Sequence, residues 1–350
     1  MSWNNSLDRL LIPNDIIISL TEIYKYQGRQ INHNKIIKKD IKVIIEQTIE
    51  RDIFYFSKLL ELKIPESRLR ALSTKGITPK NNSEKTILNL KDVFANLFEN
   101  YETFEFTTNE IQSIHSHIFK NIANVRFSRA EVKTKFHSQK VINKRNELDD
   151  LFIEATNSYK KNTYEKLLLS ILLFVDFYNL KGFAEMNEYT SLVLIQLLLL
   201  RVGFDNFKYV SFYEYIINNF EDYRTALIAA SFSYEEGLSQ PLHIIRFFIK
   251  SIEETYADVE QIVKNHEFDQ NLNKSYSIQN TIYKLPEVFQ KDDIRRLHPY
   301  ISDSTINRTL VRLREEGIIK PLGKGRSAKW IRIKIVEKFK VEEQMKLDIF

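Results

Sequence analysis

Two apolar stretches decide the fold of this chain: Leu167–Val175, which reads LLLSILLFV, and Leu192–Val202, which reads LVLIQLLLLRV. Apolar residues occupy most sides of a helix in both stretches, which is typical of helices buried at the centre of a protein. Both stretches are also much shorter than the ~20 residues that span a bilayer. We therefore expect two central helices joined by the polar segment between them, and no membrane partner.

The composition around these helices favours a mainly α protein. Apolar residues make up 43% of the 350 residues, against only 8 glycines and 7 prolines, so helices joined by short loops are expected rather than a barrel or a sandwich. Cysteine is absent, which excludes disulfides, thiolate metal sites and cysteine nucleophiles. The residues after Met1 do not form a basic and then apolar signal segment, and we therefore expect a cytoplasmic protein.

Polar breaks along the chain predict its division into segments. The polar stretch Asn265–Lys274 is the expected domain boundary, because no apolar period crosses it. The four expected segments are a helical N-terminal extension (1–105), a helical core (106–264), a second domain (275–336) and a C-terminal tail helix (337–350).

Local signals within the helical core predict several finer features. Isoleucines three or four residues apart predict one helix over Ile111–Ile122. The alternating residues Val132–Phe136 predict a short strand of a flap hairpin. Ser211 and Glu214 have the spacing of a capping box, and Gly203 is expected to end the second central helix.

Positive charge is concentrated near the C-terminus. The formal net charge is +5, but Lys291–Lys334 alone contains twelve basic and five acidic residues. The remainder of the chain is therefore slightly acidic. An uneven distribution of this kind favours a nucleic-acid partner for the basic segment.

The same basic segment predicts a winged helix-turn-helix. A short helix at Asp292–Leu297 and a turn precede an amphipathic helix at Asp303–Glu316, and strands Ile318–Leu322 and Lys329–Ile335 follow. In such modules the second helix enters the major groove of DNA and the wing contacts phosphates, although winged helices also serve as protein–protein modules. The side chains expected to contact DNA are Ser304, Asn307, Arg308 and Arg312 from the helix, and Lys324 and Arg326 from the wing.

The order of elements in the core resembles that of a known family. The first apolar helix leads into Phe177 and a tight loop with Gly182, the second ends at Gly203, and Ser211 opens a further helix before Pro241 starts the next. This order resembles the Fic (filamentation-induced-by-cAMP) family, whose members usually transfer AMP from ATP to a protein hydroxyl. The resemblance implies a Fic-type helical bundle with a short flap hairpin, for which a C-terminal winged helix is a common companion.

The resemblance also implies that the family's catalytic loop is degenerate here. That loop reads His-Pro-Phe-x-x-Gly-Asn-Gly-Arg-x-x-Arg, in which histidine is the general base and the glycine-rich turn and arginines hold phosphates. Valine cannot act as a base, and two neutral side chains replace the arginines. The aligned positions are Val175 for the histidine, Phe177, Lys181 for the asparagine, Gly182, and Phe183 and Met186 for the arginines.

A further family feature is also altered. Many relatives carry an inhibitory helix whose glutamate pairs with the second arginine of the catalytic loop. Lys75 stands at the matching position of this chain. Both partners of the family's ion pair are therefore replaced.

Two side chains leave an altered chemistry open. Asp176 in the loop and His137 in the flap are the remaining candidates for a general base. No His-x-x-x-His or paired-carboxylate spacing indicates a metal site, so no metal is expected. ATP with Mg²⁺ would be a cofactor only if the chain were an active enzyme.

We interpret the sequence as a Fic-like pseudoenzyme that regulates transcription through a winged helix bound to DNA. One winged helix reads few base pairs, so a homodimer is expected. Two alternatives stay open. The first is an enzyme of altered mechanism that binds a nucleotide and modifies a protein by AMP transfer. The second is an antitoxin-like interaction module with a protein partner.

Overall fold

The computed structural model describes residues 10–75, 77–133, 139–162, 164–270, 274–323 and 328–333, which form two compact units. The first unit, the helical body, comprises residues 10–32 and Ile44–Val259. The second, the C-terminal unit, comprises His33–Val43 and the chain from Glu260 onward.

Helices joined by short loops build the helical body, and one hairpin lies between the fifth and sixth of them. Strands β1 (Arg129–Lys133) and β2 (Gln139–Asn143) pair antiparallel, so the flap hairpin predicted from the sequence is present. The mainly α fold class is confirmed. The helices in chain order are α1 (Asn14–Ile36), α2 (Ile41–Leu59), α3 (Glu66–Lys75), α4 (Asn82–Asn100), α5 (Thr108–Ile118), α6 (Lys144–Lys161), α7 (Lys166–Leu180), α8 (Asn187–Arg201), α9 (Phe212–Asn218), α10 (Phe220–Ser231) and α11 (Leu242–Gln270).

The two apolar stretches form the central helices α7 and α8, as the sequence predicts. Every residue from 167 to 177 and from 190 to 200 is buried. Gly203 ends α8 with a φ of 101°, a left-handed conformation that favours glycine. Burial on all sides explains why neither helix needs a polar face.

Two local predictions differ from the observed structure. The helix predicted over Ile111–Ile122 is α5, which ends at Ile118, and the chain turns into a left-handed conformation at Asn121. Ser211 accepts a hydrogen bond from the Glu214 N–H at 3.2 Å, but only this half of the predicted capping box forms. The Glu214 carboxylate instead binds the Arg51 guanidinium, with Nη2 and Oε1 2.7 Å apart.

The C-terminal unit combines three short helices with a three-stranded sheet. The predicted pair of helices and pair of strands are present, whereas α12 and β3 were not predicted. Strand β5 lies between β3 and β4 and is antiparallel to both. The elements are α12 (Lys274–Lys284), β3 (Val288–Gln290), α13 (Lys291–Leu297), α14 (Asp303–Glu315), β4 (Ile319–Pro321) and β5 (Lys329–Arg332).

The two units do not coincide with the four segments expected from the sequence. The N-terminal extension and the helical core share one continuous apolar core. Helix α11 continues through the polar stretch to Gln270, and the units divide within this helix, between Val259 and Glu260. The segment His33–Val43 belongs to the C-terminal unit, where Ile37 is fully buried. The expected tail helix, 337–350, lies outside the described residues.

A buried carboxylate fixes the start of α9 in the helical body. Asp52 is fully buried and accepts hydrogen bonds from Ser211 Oγ at 2.6 Å and Gln196 Nε2 at 2.9 Å. Both donors are neutral, as are the backbone N–H groups at the start of α9 that also bind this carboxylate. Burial therefore raises the pKa of Asp52 to about 7.

A second buried carboxylate joins α11 to the rest of the C-terminal unit. Asp269 Oδ2 accepts a hydrogen bond from Tyr300 Oη at 2.7 Å and lies 3.0 Å from His298 Nδ1. His298 Nε2 lies 2.6 Å from the Thr281 hydroxyl, and His298 is 1% exposed. Burial would raise the pKa of Asp269, but the hydrogen bonds from His298, Ser277 and Tyr300 outweigh it and hold the pKa below its ordinary value.

Candidate functional site

The loop between α7 and α8, where the sequence analysis expects the counterpart of the family's catalytic motif, is tightly closed. Lys181 ends α7 in a left-handed conformation, with a φ of 49°, and Met186 precedes α8 with a φ of 56°. A Cβ atom at Gly182 would lie 2.4 Å from Leu148 Cδ1, so any larger residue there would have to displace the buried Leu148 side chain. The Asn187 side chain closes the loop by accepting from the Phe183 N–H at 2.9 Å and donating to the Phe183 carbonyl at 2.7 Å.

Phe183 lies inside the protein and not on the surface of the loop. Its side chain is 1% exposed and stacks on the His115 ring, with centroids 4.0 Å apart and planes at 13°. Phe127 stacks on it at 5.4 Å, and the backbones of Phe127 and Phe183 form an antiparallel bridge. The position that aligns with a phosphate-binding arginine is thus occupied by a buried aromatic side chain.

His115, which stacks on Phe183, is a buried histidine to which the sequence assigns no role. It is 4% exposed, and its Nδ1 lies 2.6 Å from the Thr190 hydroxyl of α8. Burial lowers the pKa of His115 to about 4, so its imidazole is neutral at physiological pH. The sequence around His115 gives no signal for a partner 75 residues away.

Val175, expected at the position of the family's histidine, and the adjacent Asp176 have different surroundings. Val175 is 2% exposed and packs in the apolar core. Asp176 is 8% exposed and accepts a hydrogen bond from Tyr234 Oη at 2.5 Å. Burial raises the pKa of Asp176 to about 7 despite this hydrogen bond. Phe177, the position that agrees with the family motif, is fully buried and packs near Phe183.

The remaining loop positions are exposed to solvent. Lys181 and Met186 point outward, as does Glu185. Two other candidates are not described: His137 lies outside the described residues, and only the backbone of Lys75 is described, at the end of α3. The structure therefore places Val175, Phe177 and Phe183 in the core.

A groove of about 110 Å³ opens on the helical body away from this loop. None of the loop positions from Val175 to Met186 is among its lining residues. Within the described ranges, no three His, Asp or Glu side chains are arranged to hold a metal ion. None of the helices in the described parts of the chain is long and apolar enough to cross a membrane. The groove is lined by Val93, Asn96, Leu97, Asn100, Tyr101, Phe104, Glu110, Ser113, Ile114, His117 and Leu197.

Helix α14 presents the side chains that the sequence predicts for DNA. Ile306, Leu310 and Leu313 are buried on one side of the helix. Ser304, Asn307 and Arg308 are exposed on the opposite side, together with Val311, which the sequence analysis did not single out. Among the described residues Arg308 has no ion-pair partner, which leaves its guanidinium available to a phosphate or a base.

The Arg312 guanidinium is hydrogen-bonded within the C-terminal unit. Its Nη2 donates to Gln279 Oε1 at 2.9 Å and to the Ser275 hydroxyl at 3.3 Å, and its Nη1 binds Glu316 Oε1 at 2.9 Å. The prediction of an outward-facing Arg312 therefore holds only for part of the side chain. Lys324 and Arg326, predicted at the tip of the wing, lie outside the described residues.

No protein-family model and no curated protein matches this sequence. Solved structures do match it. A Fic family protein from Desulfovibrio desulfuricans aligns over 93% of this chain and 98% of its own, with 13% identity and a TM-score of 0.52. A Fic domain containing signaling protein from Bacteroides thetaiotaomicron aligns over 70% and 97%, with 11% identity and a TM-score of 0.54. Fic-1 from C. elegans aligns over 69% and 73%, with 12% identity and a TM-score of 0.53.

At identities of 11–13%, these matches concern the fold alone. This chain has the Fic fold, which confirms the fold expected from the order of elements around α7 and α8. The alignment over 93% of the chain also extends beyond the helical body into the C-terminal unit.

Proposed function

We propose that this chain is a regulator in which a Fic-fold body has lost nucleotidyl transfer and the C-terminal unit binds DNA as a winged helix-turn-helix. The observation that carries the proposal is the buried stack of Phe183 on His115. The loop position where the family holds phosphate with an arginine is filled by a ring in the core.

Three features of the loop support the loss of AMP transfer. Val175 has no titratable atom and is buried, so it cannot deprotonate a hydroxyl group. Phe183 supplies no positive charge for a phosphate. The neutral His115 behind it does not replace that charge, because its pKa is lowered to about 4.

The C-terminal unit supports DNA binding through its order of elements and its charge. A helix, a strand, two helices and two strands in this order, with the last strand in the middle of the sheet, correspond to a winged helix. Helix α14 stands in the place of the recognition helix and exposes Ser304, Asn307 and Arg308. Twelve basic against five acidic residues in Lys291–Lys334 favour a polyanionic partner.

Two copies of the chain would be needed to read a full site. A single recognition helix contacts only a few base pairs, and a symmetric pair doubles the contacts. The proposal therefore includes a homodimer on a palindromic site. Sedimentation of the full chain with and without DNA would measure both stoichiometries.

The first experiment tests the body. Calorimetric titration of the full chain with ATP and Mg²⁺ should give no binding heat, and incubation with radiolabelled ATP should leave the protein unlabelled. Transfer of label to the chain or to an added protein would overturn the pseudoenzyme part of the proposal.

The second experiment tests the C-terminal unit. Duplexes selected from a random pool by the full chain should bind with an affinity that falls steeply between 50 and 200 mM salt, as phosphate contacts require. Arg308→Ala should weaken binding about tenfold. Arg224→Ala is the matched control, since it removes an exposed arginine of the helical body whose partner is Glu221. Equal loss in both variants, or no selected DNA, would contradict DNA binding through α14.

A second candidate function is an enzyme of altered mechanism, and Asp176 is the observation that favours it. A carboxyl group with a pKa of about 7, hydrogen-bonded to Tyr234, has the acidity of a general acid or base near neutral pH. If label transfer occurs, Asp176→Asn should abolish it and Val175→Ala should not.

A further inference from the structure

The exposed face of α14 has one apolar side chain near its centre. At 100° per residue, Ser304, Asn307, Arg308 and Val311 lie within one arc of the helix, opposite its buried residues. Val311 is 41% exposed and follows Asn307 and Arg308 by one turn. It therefore lies where base edges would approach if this helix entered the major groove.

The positive charge beside Val311 comes from Arg308 and not from Arg312, and the exposed Glu315 follows Val311 by one turn. Arg312 lies on the flank of α14 and its guanidinium is bound by Gln279, Ser275 and Glu316. Arg308 is exposed on the same arc as Val311. The central group that faces outward thus consists of an amide, a guanidinium and an isopropyl group.

These three groups match features of different base pairs in the major groove. A guanidinium pairs with the O6 and N7 atoms of guanine, an amide pairs with the N6 and N7 atoms of adenine, and an apolar group contacts the 5-methyl of thymine. We propose that Val311 reads a thymine methyl group in the DNA site, flanked by purines that Asn307 and Arg308 contact. This inference rests on the proposed DNA binding and adds a specific base to it.

An isolated apolar side chain fits a methyl group better than it fits a protein surface. Docking surfaces for proteins are contiguous apolar patches of a few hundred Å². Val311 is surrounded on its arc by Ser304, Asn307, Arg308 and Glu315, which are polar and exposed. A single methyl group needs only one apolar partner.

The test replaces one methyl group at a time. In the duplex selected by the full chain, each thymine is replaced in turn by deoxyuridine, which lacks only the 5-methyl group. The wild-type chain should bind about fourfold more weakly at one position of each half-site, the effect of losing one buried methyl. In Val311→Ala the ratio of thymine to uracil affinity at that position should fall to about one.

Arg308→Ala serves as the matched variant for this measurement. It should weaken binding to both duplexes and keep the fourfold ratio, because it leaves Val311 in place. Val311 is exposed, so Val311→Ala should unfold in urea like the wild type. A wild-type chain that binds its selected DNA without sensitivity to any thymine methyl, or a fourfold ratio that persists in Val311→Ala, would overturn the inference. Absence of DNA binding at every salt concentration would overturn the proposed function as well.

Discussion

Asp52 in the helical body and Asp269 in the C-terminal unit are both buried carboxylates, but their surroundings are opposite. Asp52 is bound by hydroxyl, amide and backbone donors, all neutral, and burial raises its pKa to about 7. Asp269 is bound by His298 and Tyr300, and its pKa lies below the ordinary value although burial acts to raise it. The surroundings of Asp52 thus favour the protonated carboxyl group, whereas those of Asp269 favour the ionised carboxylate.

The difference shows which partners each unit offers to a buried charge. The body is organised around apolar helices and an aromatic stack at Phe183, whose described ring neighbours are His115, Phe127 and Phe177. The C-terminal unit has ionisable partners for its buried acid, and its sequence contains the excess of basic residues. We expect a buried charge to destabilise the body, whereas loss of an ionisable partner should destabilise the C-terminal unit. Acid should favour the folded body and destabilise the C-terminal unit.

The largest effect is expected when a charge is placed in the body. Phe183→Arg restores the family's residue, but it buries a guanidinium against His115 and Phe127. The free energy of unfolding should fall by about 4 kcal/mol or more, because a buried charge without a partner is costly. Urea unfolding followed by circular dichroism measures this loss, and Phe183→Leu is the control with an expected loss of about 1.5 kcal/mol. A stable Phe183→Arg variant that binds ATP would mean that the nucleotide site is still present and is blocked only by Phe183.

The next effect is expected when the partner of Asp269 is removed. His298→Ala leaves Asp269 and Thr281 without their common partner and opens a cavity, so the unfolding free energy should fall by about 3 kcal/mol. Tyr300→Phe removes the hydrogen bond to Asp269 and the 3.1 Å contact with His298 Nδ1 but leaves the histidine in place, and it should cost about 1 kcal/mol. Equal losses in the two variants would contradict a special role for the histidine.

A smaller effect concerns pH and the body. The folded state keeps the proton of Asp52 up to a pKa of about 7, whereas the unfolded chain releases it near pH 3.9. The contribution of Asp52 to the free energy of unfolding should therefore fall as pH rises, by about 2 kcal/mol between pH 5 and 6.5 at 1.4 kcal/mol per unit. Asp52→Asn should remove this contribution, and the slope left should come from Asp176, whose pKa is also raised to about 7. If the unfolding free energy of the double variant Asp52→Asn, Asp176→Asn kept the wild-type slope against pH, the assignment of this slope to the two aspartates would be wrong.

The smallest effect is expected from acid on the C-terminal unit. A lowered pKa at Asp269 contributes stability above the ordinary value of about 3.9, and this contribution is lost as pH falls through the folded pKa. Trp330 lies in β5, so its fluorescence in a Trp3→Phe variant reports on this unit. Below pH 4 the emission should change before the far-ultraviolet circular dichroism of the whole chain. Simultaneous loss of both signals would show that the units do not differ.

The sequence predicts those features of the fold that depend on local pattern. The all-round apolar character of α7 and α8, the hairpin between α5 and α6, and helix α14 each follow from residues within one segment. Strand β3 has three residues and helix α12 a mostly polar face, and neither was predicted. The continuation of α11 to Gln270 was not predicted either. Its buried side is narrow, so most of its residues are polar and the apolar period that indicates a helix is weak.

The candidate site is less predictable, because its contacts join distant parts of the chain. An alignment identifies the replaced residues at Val175 and Phe183, but it does not place Phe183 on His115, 68 positions earlier. The pairing of Asp176 with Tyr234 is likewise set by tertiary packing. For Arg312, helical spacing predicts an outward direction, and only the neighbouring α12 explains why its guanidinium is bound there.

The segment His33–Val43 has a consequence for how the chain is made. It leaves the ribosome more than 200 residues before the rest of its unit, which begins at Glu260, and Ile37 is fully buried there. Domains generally fold as they emerge, N-terminal parts first. The helical body can therefore close during synthesis, whereas the C-terminal unit must wait for the residues after Glu260 and then recover a segment made more than 200 residues earlier. A nascent chain that has not reached Glu260 would expose Ile37, and the unit that we propose to bind DNA would form only after the residues from Glu260 onward are made.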